Sequence, residues 1–175
     1  MMKYLKEDKK AKTKSFFLNS KKTFFTKEHI KFLEKFYKSK STDVRICLHK
    51  NAKSNHHDMI ILQQKKNFYK PHKHLKKGET YHIIKGSMIC VLFKNNGEIK
   101  KTCKILKGDI FRTPINVFHT MIPLTKFVIY HESKRGPFLK KNDSIFPKWI
   151  GAYDRAKDIA SLKNKIISYV NHEKI

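Results

Sequence analysis

The chain has 175 residues and carries 40 lysines and arginines against 14 aspartates and glutamates, a formal net charge of +26. A chain of this length can bury a core without disulfides, and Cys47, Cys90 and Cys103 show no paired spacing, which favours a reducing cytoplasm. No apolar run approaches the ~20 residues of a membrane-spanning helix, so we expect a cytoplasmic protein with no membrane span.

The positive charge should attract anions such as nucleic acid, nucleotides and acidic sugars. The excess is nearly all lysine spread along the whole chain, and arginine occurs only at Arg45, Arg112, Arg135 and Arg155. Specific nucleic-acid readers rely on arginine and on exposed aromatic motifs. We therefore expect nucleic acid not to be the partner, and a basic nucleic-acid-binding protein stays only as a third alternative for the function.

The N-terminal part combines a basic arm with a helix. Residues 1–23 are rich in lysine without a sustained period, which predicts an arm that is either poorly ordered or added as a strand to another subunit. Thr26 has the character of a helix N-cap. The apolar stripe that follows it predicts an amphipathic helix over 27–38; it consists of Ile30, Leu33, Phe36 and Tyr37.

From about 43 to 132 the apolar residues alternate with polar ones, and turn sequences such as Asn95-Asn96-Gly97 separate the runs. Eight or more short strands, among them Phe68–His74, predict an all-β fold, either a sandwich or a barrel. The triplet His56-His57-Asp58 is interpreted as a turn at the rim. A second apolar stripe predicts a helix within 151–175, with Asp154 as its cap. Residues 24–150 would then form one domain.

The histidines of this barrel indicate a metal centre. His72 and His74 are one residue apart, so on a strand they point to the same face. Glu79 after the next turn and His119 from a distant strand can converge with them. Three imidazoles and a carboxylate suit one divalent transition ion, namely Fe, Mn, Ni, Co or Zn. A single buried histidine is more often part of the core, but four candidate ligands at this spacing favour a metal.

The spacing resembles the two signature motifs of the cupin superfamily. The first runs from His72 through Glu79 to Gly86, with Lys66 in place of the usual leading glycine. The second runs from Gly108 through Pro114 to His119, with Asn116 where glycine is usual and Pro123 where asparagine often follows. These departures fall in turns and leave the four metal ligands in place.

A narrower resemblance, to the WbuC family of cupin-fold metalloproteins, covers about residues 24–150. It is carried by seven segments: 45–49 (RICLH), 70–74 (KPHKH), 82–86 (HIIKG), 119–120 (HT), 131–132 (HE), 135–138 (RGPF) and 146–149 (FPKW). The resemblance implies a single small cupin-type barrel, a jelly roll, with a metal in its mouth. It also implies a link to the synthesis of O-antigen, capsule or another surface polysaccharide. It implies no particular reaction.

Further residues are candidates to surround the metal. Strand alternation places Tyr81 on the face of Glu79, and Tyr130 beside Glu132 on the last barrel strand. Tyr81 and Glu132 are the predicted acid–base residues. The predicted substrate-binding residues are Arg45, His49, Lys70 and Tyr130, of which Arg45 and His49 are taken from the WbuC resemblance. All four can also be explained as contacts that support the barrel rim.

These observations favour a metal-dependent enzyme that isomerises or epimerises a sugar or nucleotide-sugar. The alternative is a non-catalytic metal-binding cupin, which binds a sugar or an anionic ligand as a sensing or assembly module. Fold alone does not choose between them. Because single small barrels expose sheet edges, we also expect a homodimer.

Overall fold

The computed structural model describes residues 4–11, 13–18, 24–39, 42–139, 143–153 and 156–172. Its strands are β1 (Leu5–Glu7), β2 (Lys14–Leu18), β3 (Val44–Cys47), β4 (His56–Gln64), β5 (Glu79–Lys85), β6 (Met88–Phe93), β7 (Ile99–Ile105), β8 (Ile110–Arg112), β9 (Phe118–Pro123) and β10 (Phe127–Arg135). Two α-helices flank the strands of the predicted barrel, α1 (Lys27–Ser39) and α2 (Ala156–His172), and a 3-10 helix spans Lys148–Tyr153.

The strands form two sheets. Seven strands lie in the order β1-β2-β3-β4-β10-β5-β8, and three lie in the order β7-β6-β9. The pairing is antiparallel except between β2 and β3, which run parallel. The prediction of an all-β jelly roll with a helix before and after it is confirmed. Hydrogen bonding among the described strands runs within each sheet, so the barrel is a pair of facing sheets and not a closed ring.

Strand alternation places one apolar layer between the sheets and one outside each of them. Cys47, Ile61, Ile83 and Met121 belong to the inner layer. Helix α1 covers the outer face of the large sheet through Leu33, and α2 covers the small sheet through Leu162 and Ile166, among others. Two residues of this inner layer, Ile61 and Met121, border a cavity whose other lining residues are mostly polar.

Three local predictions differ from the structure. Residues 68–74 were expected to form a strand, but the segment forms only two isolated β-bridges, from His72 to His119 and from Lys73 to Ile145. His56-His57-Asp58 is not a turn, because it opens β4. The described part of the N-terminal arm adds β1 and β2 to the sheet of its own chain. The proposed cap Asp154 lies outside the described residues.

Two turns require unusual backbone conformations. Asn116 has φ of 62°, and asparagine is one of the few residues other than glycine that tolerates this region. This explains how it can stand where the cupin motif usually has glycine. Gly86 has φ of +82°, and a Cβ there would lie 2.6 Å from the carbonyl oxygen of Phe127. None of the described helices is long and apolar enough to cross a membrane.

Candidate metal centre

Three pieces of backbone bring the four predicted ligands together. Backbone hydrogen bonds in both directions between His72 and His119 (3.0 and 2.9 Å) join the segment before β5 to β9. Glu79 is the first residue of β5, and its amide donates to Thr113 Oγ1 at 2.9 Å. One ligand atom from each of His72, His74, Glu79 and His119 lies within 4.8 Å of all the others. The sequence spacing therefore corresponds to a single cluster in space.

The rings of the three histidines are oriented by backbone carbonyls. The Nδ1 atom of His72 lies 3.0 Å from the carbonyl oxygen of Lys70, and that of His119 lies 2.9 Å from the carbonyl oxygen of Val117. The Nδ1 atom of His74 contacts the carbonyl oxygen of Asp143. A carbonyl can only accept, so each Nδ1 carries the proton and each Nε2 carries a lone pair. Metal-binding histidines typically have this arrangement.

The lone pairs face a carboxylate. His74 Nε2 lies 3.0 Å from Glu79 Oε1, and His119 Nε2 lies 3.2 Å from Glu79 Oε2. His74 Nε2 is buried and makes no directed hydrogen bond to the described residues. Acceptors that face acceptors at this distance repel each other unless a proton or a metal ion lies between them. The donor set therefore fits a divalent transition ion, which His72, His74, Glu79 and His119 can hold.

The protonation of the ligands depends on their burial and on Glu79. Burial lowers the pKa of His72 to about 4, so this ring is neutral at pH 7 and ready to bind a metal. Burial also lowers the pKa of His74, but the adjacent carboxylate of Glu79 outweighs it and the net pKa is above the ordinary 6.5. Burial would raise the pKa of Glu79, but Lys134 and the imidazoles hold it well below its usual range. A metal ion at this centre therefore competes with a proton for His74.

Lys134 is a site residue that the sequence did not reveal. Its Nζ atom lies 2.6 Å from Glu79 Oε1 and 2.8 Å from Glu132 Oε1. Burial opposes the charge, yet the two carboxylates raise the pKa of Lys134 above its ordinary range. The only signal in the sequence was strand alternation, which places Lys134 on the same face of β10 as Tyr130 and Glu132.

Beside the cluster lies a cavity of about 200 Å³. Four of the six residues predicted to surround the metal line this cavity, namely Arg45, Tyr81, Tyr130 and Glu132. Lys134, His72 and Glu79 line it as well. The Tyr81 hydroxyl donates to Glu79 Oε2 at 2.7 Å. The Tyr130 hydroxyl donates to Gln63 Oε1 at 3.3 Å. Both tyrosine hydroxyls thus donate hydrogen bonds to side chains of the protein itself.

Two predicted substrate-binding residues do not line this cavity. His49 stacks on His57 with ring centroids 4.1 Å apart, and its Nδ1 atom lies 3.1 Å from the carbonyl oxygen of Asp58. Lys70 contributes its backbone carbonyl, which orients His72, as described above. The structure therefore places His49 outside the cavity and gives Lys70 a role for its backbone.

The segment after β10 supports the centre from the outside. Asp143, whose carbonyl orients His74, is held by its own carboxylate, which pairs with Lys77 and accepts a hydrogen bond from the Leu139 amide at 3.1 Å. Two residues further on, Ile145 and Lys73 exchange backbone hydrogen bonds of 2.9 Å. The orientation of one metal ligand thus depends on chain far from the two cupin motifs.

Comparison with known proteins finds a partial match to a family of unknown function and several solved structures with low sequence identity. Residues 39–105 match the family described as a domain of unknown function, DUF6016. No curated protein matches the chain. Similar solved structures include oxalate decarboxylase of Lactobacillus farciminis in its formate complex, with 20% identity and a TM-score of 0.45 over 57% of this chain and 29% of that one.

Two further structures have the same level of similarity. CapF with the inhibitor 3-isopropenyl-tropolone gives 13% identity and a TM-score of 0.48, over 60% of this chain and 31% of that one. KdgF from Halomonas sp. gives 14% identity and a TM-score of 0.44, over 54% of this chain and 78% of that one. The chain thus spans 29% and 31% of the length of oxalate decarboxylase and CapF.

Proposed function

We propose that the chain is a metal-dependent enzyme of the WbuC type that isomerises or epimerises a sugar during the assembly of O-antigen, capsule or another surface polysaccharide. The observation that carries the proposal is the position of the four candidate ligands at a cavity that also contains the Glu132–Lys134 ion pair. Metal ligands and an acid–base group beside one small cavity are what proton transfer next to a carbonyl requires.

The roles of the residues follow from their contacts. A divalent ion held by His72, His74, Glu79 and His119 would polarise a carbonyl or hydroxyl oxygen of the substrate as a Lewis acid. Glu132 is the candidate base, which removes a proton from carbon and returns it. Its Oε1 atom is bound to Lys134, and this ammonium balances its negative charge. Lys134 therefore keeps the buried carboxylate of Glu132 in place, although Glu132 is not one of the candidate metal ligands.

Tyr81 has a different role in this proposal. Its hydroxyl already donates to Glu79, and burial together with that carboxylate holds the pKa of Tyr81 well above its usual range. A phenol in this state keeps its proton near pH 7. Tyr81 is thus better suited to orienting Glu79 than to exchanging a proton with the substrate, and Glu132 becomes the preferred acid–base residue.

The size of the cavity limits the substrate. Its volume of about 200 Å³ is below the roughly 300–1,000 Å³ of sites that enclose drug-sized ligands. The reacting part is therefore a single sugar unit. If the substrate is a nucleotide-sugar, its nucleotide lies outside the cavity, where the lysine-rich surface supplies positive charge.

The experiment is hydrogen exchange at carbon. Metal-loaded protein in D2O, incubated with a panel of sugars and nucleotide-sugars, should introduce deuterium at one carbon position of a substrate, detected by NMR. Glu132→Gln should lower the exchange rate at least a hundredfold because the base is lost. Glu98→Gln is the control, because Glu98 is exposed and pairs with Lys94 only at the surface. Exchange that is equal in both variants would exclude Glu132 as the base.

The alternative is a non-catalytic sugar-binding module. It is favoured by the hydroxyls of Tyr81 and Tyr130, which are both occupied by hydrogen bonds within the protein. Such a module would bind a sugar in calorimetry and give no deuterium exchange with any member of the panel.

We also propose a homodimer. Strand β8 ends the large sheet, and Ile110 on it is 70% exposed. An edge strand with an exposed apolar side chain favours pairing with another copy. Light scattering at micromolar concentration should give twice the chain mass of 20.8 kDa. A mass that stays at one chain would refute the dimer.

A further inference from the structure

Arg45 presents a fixed positive charge to the cavity. On β3, Val44 and Ile46 face α1, so alternation turns Arg45 inward. Its Nε atom donates to Ser15 Oγ at 2.7 Å, and the buried Ser15 hydroxyl donates in turn to the carbonyl oxygen of Thr13 at 2.7 Å. The plane of the guanidinium is therefore held by the protein.

In the described part of the chain, the terminal nitrogens of Arg45 have no anionic partner. The contact at this end is between Nη1 and Met59 Sδ at 3.9 Å, a weak acceptor. Among the described residues, no carboxylate oxygen pairs with Arg45 within 4.0 Å, whereas Lys134 in the same cavity pairs with two carboxylates. An arginine does not lose its proton in a protein, so its charge is satisfied only by water or by a ligand.

The charges around the cavity reinforce this point. Arg45 and Lys134 balance the carboxylates of Glu79 and Glu132, which line the same cavity. A divalent metal ion at the centre adds two positive charges that no lining residue balances. The loaded cavity therefore attracts an anion.

We propose that the ligand of this cavity carries a carboxylate, bound by the terminal nitrogens of Arg45, so that the substrate is an acidic sugar or another small hydroxy acid. This inference rests on the proposed function in taking the cavity as the substrate site. A carboxylate suits the two terminal nitrogens because its two oxygens match their planar spacing. It also adds little volume in a cavity of about 200 Å³.

The experiment compares an acid with its neutral amide. Binding of D-glucuronate and D-glucuronamide to metal-loaded protein is measured by isothermal titration calorimetry, and glycolate with glycolamide repeats the comparison at a smaller size. We expect the acid of at least one pair to bind at least tenfold more tightly than its amide. Arg45→Met should abolish this preference. Arg45→Lys, which keeps the charge without the planar fork, should retain part of it.

Controls separate the site from the general charge of the protein. Lys101→Met removes one positive charge from the exposed face of β7 and should leave the preference for the acid unchanged. Metal content and melting temperature are measured for every variant, so a misfolded protein is recognised. Inorganic phosphate is the third probe, and it should bind more weakly than the preferred acid.

Equal affinities for acid and amide in both pairs would overturn the inference. A preference for the acid that Arg45→Met leaves intact would also overturn it, and so would one that Lys101→Met reduces as much as Arg45→Met does. Tighter binding of phosphate would overturn the choice of a carboxylate. Failure of the enzyme proposal has a different signature, because deuterium exchange would be absent while the preference for the acid persists. Exchange without any preference for the acid would leave the enzyme proposal standing and remove this inference.

Discussion

Replacement of Lys134 by methionine should destabilise the metal-free protein strongly. Its ammonium lies between Glu79 and Glu132, which are only 2% and 7% exposed. Methionine keeps much of the apolar stem and removes the charge. Glu79 retains the Tyr81 hydroxyl and the imidazoles, but Glu132 loses its ion-pair partner. Two buried carboxylates then remain close together without the cation that balanced them.

The expected magnitude follows from the burial of these groups. Removal of one partner from a buried ion pair typically costs about 3–5 kcal/mol, because the remaining charge is desolvated without compensation. For a protein of this size, 1 kcal/mol corresponds to roughly 2–4 °C in Tm. We therefore expect Lys134→Met to lower the Tm of the metal-free protein by roughly 6–20 °C.

Metal should reverse part of this loss. An ion at a concentration of 100 Kd stabilises the wild-type protein by about 2.7 kcal/mol. In Lys134→Met the ion also supplies the positive charge that Glu79 has lost, and it no longer meets a repelling ammonium nearby. The rise in Tm on adding metal should therefore be larger in the variant than in the wild type.

The assay is thermal unfolding followed by circular dichroism, with chelator and with excess Zn²⁺ or Mn²⁺. Lys94→Met is the matched control, because the side chains of Lys94 and Glu98 are 58% and 60% exposed and their pairing should contribute little. An equal metal-induced rise in Tm for wild type and Lys134→Met would refute the idea that the lysine and the ion share Glu79. An unchanged Tm without metal would refute the buried ion pair itself.

Three further predictions concern the metal ligands and the turns. The double variant His74→Ala/His119→Ala should lose most of its bound metal in elemental analysis, and full retention would contradict the assigned ligands. Metal occupancy of the wild type should fall as the pH is lowered through the pKa of His74, which lies above 6.5. The reason is that a protonated imidazole has no lone pair to donate to a metal. Occupancy that stays constant down to pH 5 would exclude His74 as a ligand. Gly86→Ala should lower the Tm more than Gly108→Ala does, although both glycines have positive φ. At Gly86 the new Cβ would lie 2.6 Å from a backbone oxygen, whereas at Gly108 it would have no atom within 4 Å.

The fold was predictable where one face of a strand is apolar and the other is polar, as in β3 with Val44 and Ile46. Prediction failed at His56-His57-Asp58, which was interpreted as a turn at the rim because adjacent residues on a strand face opposite ways. In the structure they begin β4, and Asp58 accepts a hydrogen bond from His131 at 3.0 Å on the neighbouring strand. A polar pair across two strands stabilises a sheet as an apolar pair does, but one strand alone does not reveal it.

The cluster of candidate metal ligands was predictable because the spacing of His72, His74, Glu79 and His119 in the sequence is informative. Lys134 was not, because lysine is spread along the whole chain and is almost always exposed in proteins. What distinguishes Lys134 is burial between two carboxylates, and this depends on β5 and β10 being neighbours. Arg45 was predicted as a substrate-binding residue from the WbuC resemblance alone. That no carboxylate of the described residues pairs with Arg45 is a property of the folded cavity.

The orientation of the histidine rings shows where the sequence carries local and distant information. For His72 and His119, the orienting carbonyl belongs to the residue two positions earlier, Lys70 and Val117. These contacts follow from the local chain path at each ligand. For His74 the carbonyl belongs to Asp143, 69 residues away. Correct orientation of this third ring therefore requires the segment after β10 to dock. The candidate metal centre is thus complete only when chain beyond the two motifs that contain its ligands has folded onto it.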